Sequence, residues 1–232
     1  WFNDEPVGSL SNVAHFQLMQ RAKELGVTVI LSGQGADELL CGYSKYLGFY
    51  LQSLLQTGKW RTALEVLGGF ARRRTVIPQF RLHEAKRYLP RLLRPAGIDI
   101  CGPRLKQDSF LLDVGLGGSG VVSRQVADLY RFSVPALVHS EDRMSMACAR
   151  EIRLPFLDYR LVTKLLPLAP EWKLRDGWTK WIFRKAMEEY LPSEITWRKD
   201  KQAFATPQSE WLKHELREKV EGFLNGTLLI AE

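Results

Sequence analysis

The most constraining part of the sequence is VTVILSGQGADELLCGY, which runs from Val27 to Tyr43. Its first five residues, Val27 to Leu31, are all apolar or β-branched, a pattern typical of a strand buried on both faces of a parallel sheet. A polar turn with two glycines follows, and Asp37 and Glu38 then begin a segment that favours helix. A strand, a glycine turn and a helix start are the parts of a phosphate-binding loop, so we expect an α/β fold with a phosphate or nucleotide site at this turn.

The two acids in this turn are unusual for a phosphate site, where a lysine is the common choice. A carboxylate next to a polyphosphate is repelled unless a divalent cation lies between them, which makes Asp37 a candidate Mg²⁺ ligand. The alternative is that Asp37 and Glu38 only stabilise the start of the helix through its dipole. The local pattern is compatible with both interpretations.

The rest of the chain favours helices over strands. Helical patterns run from a cap at Asn12 to Gly26, through most of Asp37 to Leu67, from Val122 to Arg150 with a bend near Pro135, and from Trp178 to a stop at Pro192. One parallel strand cannot form a sheet alone, so we expect the C-terminal part of an α/β domain whose other strands lie upstream. The chain also begins at Trp1 without a methionine, and we interpret it as a piece of a longer protein.

Charge and composition argue against several classes of protein. The formal net charge of +7 arises between Ala71 and Pro95, where eight basic residues face the single acid Glu84. Three prolines interrupt this block, so a solvated surface or a contact with a missing part of the protein is favoured over binding to nucleic acid.

No apolar run approaches the length of a membrane helix, and the N-terminus lacks the pattern of a signal peptide, so we predict a cytoplasmic protein without membrane contact. The three cysteines are widely spaced and are predicted to be reduced, buried thiols.

Two further segments leave alternatives open. GLGGSG, from Gly115 to Gly120, fits a dinucleotide-binding pattern, but the acid found about twenty residues later, Glu141, falls in a helical pattern, and a glycine loop is favoured. From Glu141 to Leu161, charged residues are interleaved with small apolar ones, which indicates either a structural ion-pair network or a binding role. We take Glu141 and Arg143 as candidate substrate-binding residues.

Three stretches together resemble one family, the glutamine-hydrolysing asparagine synthetases. LSGQGADELLCGYSKY is similar to the nucleotide turn of their synthetase domain, EDRMSMACAREIRLPFLDYRLV to its central signature, and LRDGWTKWIFRKAMEEYLPSEITWRKDKQAFATP to its C-terminal signature. The resemblance covers nearly the whole chain and is weakest from about Phe70 to Ser123. It implies the C-terminal part of a Rossmann-like, parallel-sheet α/β domain of the ATP-pyrophosphatase type, predominantly helical in this chain. Within this one synthetase domain, residues 1–68 are expected to form the nucleotide-turn region, 69–121 a basic, irregular connection, and 122–232 a helical region with the substrate and lysine-loop residues.

The resemblance implies a two-step reaction that uses ATP and Mg²⁺. The side-chain carboxylate of aspartate is activated as β-aspartyl-AMP with release of pyrophosphate, and ammonia channelled from a glutaminase domain then displaces AMP to give asparagine. By position, Ser32, Gly33 and Gly35 correspond to the ATP-binding turn, Gln34 to a catalytic position that takes part in forming the acyl-adenylate, and Asp37 to the Mg²⁺ ligand. Lys201 corresponds to a catalytic lysine that meets the transferring phosphates, although WRKDKQAFATP by itself is typical of a solvated basic loop.

The chain also departs from the family pattern. Some family members carry glutamate where this chain has Gln34. Neither an N-terminal cysteine nucleophile with its glutaminase domain nor an SGGxDS loop occurs in these 232 residues. We expect both in a longer parent protein, and we expect the chain alone to be inactive. Two alternatives stay open, a β-lactam synthetase-like adenylating enzyme and a non-catalytic interaction module on the same scaffold. The sequence is compatible with a homo-oligomer and leaves the oligomeric state open.

Overall fold

The computed structural model of the protein describes residues 1–5, 7–76, 120–199, 204 and 206–225. The chain divides into two compact units. The first consists of Trp1–Leu31, Val138–Arg153 and Gln202–Glu232, and the second of Ser32–Leu137 and Leu154–Lys201. Of the segment GLGGSG, only the last glycine, Gly120, lies within the described residues. Lys201 lies outside them. Within the described part, no helix combines the length and the hydropathy that are needed to cross a membrane.

Helices dominate the described residues. In chain order they are α1 (Leu10–Glu24), α2 (Ala36–Leu39), α3 (Ser44–Gln56), α4 (Trp60–Arg73), α5 (Val121–Ala127), α6 (Val134–Met146), α7 (Tyr159–Leu165), α8 (Trp181–Met187), α9 (Ser193–Thr196), α10 (Gln208–Lys213) and α11 (Arg217–Asn225). A π-helix spans Asp128–Phe132, and short 3₁₀ helices span Pro155–Leu157 and Pro170–Trp172. Strands β1 (Val29–Leu31) and β2 (Glu151–Arg153) pair in parallel. The prediction of a mixed, mostly helical α/β fold with a parallel sheet is therefore confirmed, whereas the Rossmann-like arrangement of that sheet stays a prediction.

The sheet differs from the sequence prediction in two ways. Its second strand comes from this chain, with Ile30 opposite Ile152, although EIR was not predicted as a strand. The apolar strand is also shorter than the predicted Val27 to Leu31, and it is not buried on both faces, since Leu31 is 71% and Val29 37% exposed. The prediction of burial is wrong because, among the described residues, the sheet has only two strands, and the face that carries Val29 and Leu31 stays exposed while Ile30 and Ile152 are partly buried.

The first helix shows how local sequence sets the boundaries in the first unit. α1 begins after Ser9, whose side chain accepts a hydrogen bond from the backbone N–H of Ser11, so the cap lies three residues before the predicted Asn12. Its last residue is Glu24, and Gly26 terminates it as predicted by adopting a left-handed conformation with a φ of 71°. The N–H groups of Gly26 and Val27 then bond to carbonyls inside the last turn of the helix, which is the hydrogen-bond pattern of a Schellman motif. This ending turns the chain directly into β1.

The core of the second unit forms where α3, α4 and α5 meet. The buried apolar residues of α3 recur every three to four positions and so share one face of the helix. Those of α4 lie one or two helical turns from each other. The buried residues of this core are Cys41, Tyr46, Leu47, Tyr50, Leu54, Ala63, Phe70, Val76, Val121 and Leu174. Burial raises the pKa of the Cys41 thiol to about 12, so this cysteine is a structural thiol. Cys41 and Cys148 are free and buried, as predicted, and Cys101 lies outside the described residues.

The π-helix brings a buried carboxylate into this unit. Asp128 is fully buried and accepts hydrogen bonds from Arg124 and from the hydroxyl of Tyr46, and it forms an ion pair of 2.8 Å with Lys45. Burial alone would raise the pKa of Asp128, but these donors outweigh it and hold the pKa below the ordinary value for aspartate. The wide turn ends at Ser133, whose N–H bonds to the carbonyl of Asp128 at 3.0 Å. Ser133 thereby faces the elements that carry the candidate site.

Candidate functional site

The turn predicted to bind the nucleotide connects β1 to α2. Gly33 is exposed, Ser32 and Gln34 are partly exposed, and Gly35 is buried. Gly35 has a φ of 87°, and the side chain of Leu157 occupies the place that a Cβ would take. Glycine is therefore required at this position for its backbone conformation and for the packing of Leu157. The polar atoms that remain accessible in the turn belong to Ser32, Gly33 and Gln34.

Asp37 lies in the first turn of α2 and is paired with a lysine from a distant part of the second unit. Its Oδ1 atom is 2.9 Å from Nζ of Lys180, and the two side chains are 25% and 28% exposed. A Cβ at Gly42 would overlap the Asp37 carboxylate and would lie 2.7 Å from Cε of Lys180. The missing side chain of Gly42 thus leaves the space in which this ion pair forms.

The backbone of Lys180 is held in an unusual conformation. Its φ of 56° lies in the left-handed region, which costs a non-glycine residue about 1 to 2 kcal/mol. The N–H of Lys180 bonds to the carbonyl of Leu40 at 3.2 Å, and its own carbonyl accepts the N–H of Arg184 at 3.0 Å as α8 begins. A strained backbone conformation of this kind persists only where contacts with neighbouring residues hold it in place, and such conformations are common at functional sites. Lys180 is therefore joined to the α2 region by both its backbone and its side chain.

The second acid of the turn has a different environment. Glu38 is 1% exposed, and its carboxylate accepts a hydrogen bond from the hydroxyl of Ser133. The pKa of Tyr43 is raised, first by burial and then by the negative charges of Glu38 and Asp37. Asp37 and Glu38 therefore do more than stabilise a helix dipole, because each contacts a specific partner. Only Asp37 remains accessible.

A buried chain of hydrogen bonds anchors the C-terminal end of α2. Nε2 of Gln125 donates to the carbonyls of Glu38 and Leu39 at 2.6 and 2.7 Å. Its Oε1 atom accepts from Nζ of Lys173 at 2.8 Å, and Lys173 also donates to the carbonyl of Leu166 at 3.1 Å. Gln125 and Lys173 are both fully buried, and burial lowers the pKa of Lys173. The position of α2, and with it that of Asp37, is thus determined by polar groups from three other parts of the second unit.

The candidate substrate-binding residues belong to the first unit. Glu141 is 8% exposed, and no described residue gives its Oε2 atom a hydrogen bond. His15 lies near it: burial lowers the pKa of His15, and the negative charge of Glu141 partly offsets that effect. Arg143 forms an ion pair with Asp4 at 2.8 Å, and both side chains are about half exposed. The ion-pair interpretation thus describes Arg143, while Glu141 has a buried carboxylate oxygen that accepts no hydrogen bond from a described residue.

Lys201, the other predicted catalytic residue, lies outside the described residues, and its position relative to Asp37 stays a prediction. The segment before it is described as far as Lys199, which is exposed. Trp197 packs on Trp178 with the ring centroids 5.1 Å apart. The start of the predicted lysine loop is therefore held against the residues that directly precede Lys180.

The donor set fits a magnesium ion only if a phosphate shares it. Among the described residues, no three His, Cys, Asp or Glu side chains lie together as a metal site. Mg²⁺ is commonly held by one or two carboxylates, with substrate phosphates and water supplying the other ligands. One accessible carboxylate, Asp37, next to the exposed turn is consistent with that arrangement.

Sequence reasoning missed Lys180. The residue lies inside the C-terminal stretch that resembles the family, in GWTKWIFR, but the whole segment from Trp178 was predicted as helix. In the structure α8 begins only at Trp181, and Lys180 is the residue that precedes it.

Comparisons with known proteins identify the family of this chain. The profile of the asparagine synthase family matches residues 1–229. Asparagine synthetase [glutamine-hydrolyzing] 1 of Bacillus subtilis is 26% identical over 97% of this chain and 38% of its own length. A putative asparagine synthetase [glutamine-hydrolyzing] of Mycobacterium tuberculosis is 28% identical over 92% of the chain and 35% of its length, and the human asparagine synthetase is 35% identical over 42% of the chain. The chain thus spans little more than a third of the first two of these relatives. Because the family profile covers nearly all of it, the chain belongs to the asparagine synthase family.

Proposed function

We propose that this chain is the synthetase part of an enzyme that forms asparagine from aspartate, ATP and ammonia released from glutamine. The observation that carries the proposal is the pairing of Asp37 with Lys180 beside an exposed glycine turn. A carboxylate and an ammonium group, both partly accessible, provide an anchor for a metal and a contact for phosphate in one place. Family membership supports the same reaction class.

In the first step, an oxygen of the aspartate side-chain carboxylate attacks the α-phosphorus of ATP and the bond to pyrophosphate breaks. We assign Ser32, Gly33 and Gly35 to the turn that holds the nucleotide, with Gly35 acting through the shape that it gives the backbone. Gln34 is proposed to take part in forming the acyl-adenylate, where its amide can donate a hydrogen bond but cannot act as a carboxylate. The product of this step is β-aspartyl-AMP.

Negative charge accumulates on the phosphate oxygens during this step, and groups among the described residues could stabilise it. Asp37 would hold Mg²⁺, which neutralises negative charge on the phosphates when it is bound. Lys180 would then exchange its contact with Asp37 for one with a phosphate oxygen. Lys201 is proposed as a second cation for the departing pyrophosphate. In the second step, ammonia attacks the acyl carbon, the bond to AMP breaks, and asparagine forms.

The aspartate site is proposed at Glu141 and Arg143. Glu141 would accept a hydrogen bond from an α-ammonium group through its Oε2 atom, which is buried and has no donor among the described residues, if the side chain turns outward, and Arg143 would pair with a carboxylate if it leaves Asp4. The ammonia is proposed to come from a glutaminase domain of the parent protein.

The proposal is tested by aspartate-dependent exchange of labelled pyrophosphate into ATP, measured on the full-length protein. Exchange that requires aspartate and Mg²⁺ is expected. Exchange that requires a different carboxylic acid would favour the β-lactam synthetase-like alternative. A folded protein that binds no ATP and shows no exchange with any carboxylic acid would identify an interaction module and contradict the proposal.

A further inference from the structure

Arg184, one turn after Lys180 in α8, contacts the backbone of two separate segments. Its Nε atom donates to the carbonyl of Thr179 at 2.9 Å. Its Nη1 atom donates to the carbonyls of Thr196 and Arg198, at 2.5 and 3.2 Å. The guanidinium group thus joins the residue before Lys180 to the last residue of α9 and to the segment that follows it.

The contact with Thr179 holds one particular peptide group. The carbonyl of Thr179 and the N–H of Lys180 belong to the same peptide, and this N–H donates to the carbonyl of Leu40 at 3.2 Å. One side of the peptide is therefore held by Arg184 and the other by the end of α2. Because the φ of Lys180 is 56°, this peptide determines the direction in which the lysine side chain leaves the backbone.

The guanidinium group is itself held by aromatic packing. Its Cζ atom lies 4.8 Å from the ring centroid of Trp178, and Trp178 also packs against Trp197. None of the ion pairs among the described residues includes Arg184, so its charge is directed at backbone carbonyls. A planar group with several fixed donors is suited to this task, whereas a lysine ammonium is a single point charge on a flexible stem.

We propose that Arg184 is a positioning residue of the adenylation step: its guanidinium group holds the Thr179–Lys180 peptide so that the ammonium group of Lys180 reaches Asp37 and the phosphates. The inference rests on the proposed function, since it assigns a role relative to Lys180. The proposed role also explains the hydrogen bonds to Thr196 and Arg198, through which the guanidinium group of Arg184 holds the end of α9 and the residue two positions after it.

The test is a double-mutant cycle in the full-length protein, with aspartate-dependent pyrophosphate exchange as the readout. Arg184→Met is expected to lower kcat about 100-fold, because a displacement of about 1 Å at a reacting centre has effects of this size. Lys180→Met is expected to lower kcat at least as much. If Arg184 acts through Lys180, the double variant is expected to be no more than about threefold slower than Lys180→Met, because the two changes then remove the same interaction.

Two further variants separate positioning from general damage. Lys185→Met changes the next residue, which is exposed and paired with Glu188, and it is expected to leave kcat within about twofold of the wild type. Arg184→Lys keeps the charge but cannot contact both segments, so a melting temperature near that of the wild type is expected together with a loss of exchange. Should Arg184→Met fail to fold, Arg184→Lys carries the comparison in the same cycle.

Three outcomes would overturn the inference: a wild-type rate for Arg184→Met or Arg184→Lys, effects of the two single changes that multiply in the double variant, or a loss in Arg184→Met that matches its folded fraction. A wild-type rate for Lys180→Met is a different failure, because it contradicts the role of Lys180 in the proposed function. The two failures are therefore distinguishable.

Discussion

The ion pair between Asp37 and Lys180 matters for the placement of charge more than for stability. Both side chains are about a quarter exposed, at 25% and 28%, so water screens their attraction and the pair adds little to the free energy of folding. Its geometry nevertheless keeps an anion and a cation next to a turn with an exposed glycine. In the proposed function, a metal and a phosphate would bind together, so that each partner could exchange its contact without leaving a charge unpaired.

Asp37→Asn tests the metal role directly. In the full-length protein, the asparagine side chain keeps the shape of aspartate but loses the charge that attracts a dication, so the Mg²⁺ concentration for half-maximal aspartate-dependent exchange is expected to rise about tenfold or more. The measurement is a magnesium titration of the exchange rate at saturating ATP. Asp176→Asn is a suitable control, because Asp176 is exposed and its carboxylate, among the described residues, forms a single long ion pair of 3.7 Å with Arg175.

An unchanged magnesium requirement in Asp37→Asn would contradict the assignment of Asp37 as a metal ligand. An equal shift in Asp176→Asn would show that the effect comes from the general electrostatic field of the protein.

Lys201 is predicted to act on the phosphates during adenylation. A cation fixed near developing charge in a site with little water commonly contributes a few kcal/mol, or about a hundredfold or more in rate. In the full-length protein, Lys201→Ala is therefore expected to abolish pyrophosphate exchange while glutamine hydrolysis stays largely intact. Lys201→Arg is not expected to restore exchange, because a planar guanidinium group places its charge differently.

Lys199→Ala is the matched control for Lys201, since Lys199 lies two residues away and is exposed. It is expected to have a much milder effect on exchange. If both alanine variants lose exchange to the same small extent, the segment is a solvated basic surface and the role assigned to Lys201 is wrong.

At the scale of elements, α2 is too short to be stable by itself and depends on its partners. A helix of four residues forms too few hydrogen bonds to offset the unfavourable free energy of its nucleation. Gln125 donates to its last two carbonyls, Lys173 in turn donates to the amide oxygen of Gln125, and Ser133 donates to the carboxylate of Glu38. The candidate site is therefore only as well ordered as this buried hydrogen-bond chain.

Gln125→Leu is expected to destabilise the protein by about 3 kcal/mol or more. The change leaves two carbonyls of α2 and one donor of Lys173 without a partner in the core, and each unsatisfied buried group costs about 1 to 3 kcal/mol. The measurement is denaturant unfolding of the full-length protein. Gln52→Leu, at an exposed position of α3, is the control and is expected to change the stability by less than about 0.5 kcal/mol.

Adding Lys173→Met to Gln125→Leu is expected to recover part of the loss, because it removes the buried ammonium group that has lost its acceptor. A double variant in which the two losses simply add would show that Gln125 and Lys173 do not form one hydrogen-bond chain.

The sequence predicted some elements well and others poorly, for physical reasons that differ from residue to residue. The end of α1 was predictable because Gly26 alone accommodates the left-handed conformation of its last turn. β2 was missed because EIR is short and polar, and its conformation depends on pairing with β1. The candidate site was predictable at Asp37 from local charge, whereas Lys180 belongs to it only because folding brings two segments together that are 143 positions apart in the chain.

At the scale of the whole molecule, the described units contain only part of what the proposed reaction needs. The second unit holds the Asp37 and Lys180 pair, and the first unit holds Glu141 and Arg143. The chain spans 38% of its Bacillus subtilis relative, so that relative contains much more protein than the part that matches this chain. The activity is therefore proposed for the full-length protein.

This leads to a prediction for the 232-residue chain produced alone. It is expected neither to form asparagine nor to exchange pyrophosphate into ATP, because it contains no SGGxDS loop to complete the pyrophosphate site and a single carboxylate and ammonium pair holds a triphosphate weakly. The measurement is the exchange assay on the purified chain, with circular dichroism to show that its helices are formed and with the full-length protein assayed in parallel. Exchange above background in the folded chain would show that these 232 residues form a complete nucleotide site. The site proposed at the turn from Ser32 to Asp37 would then be misplaced or incomplete.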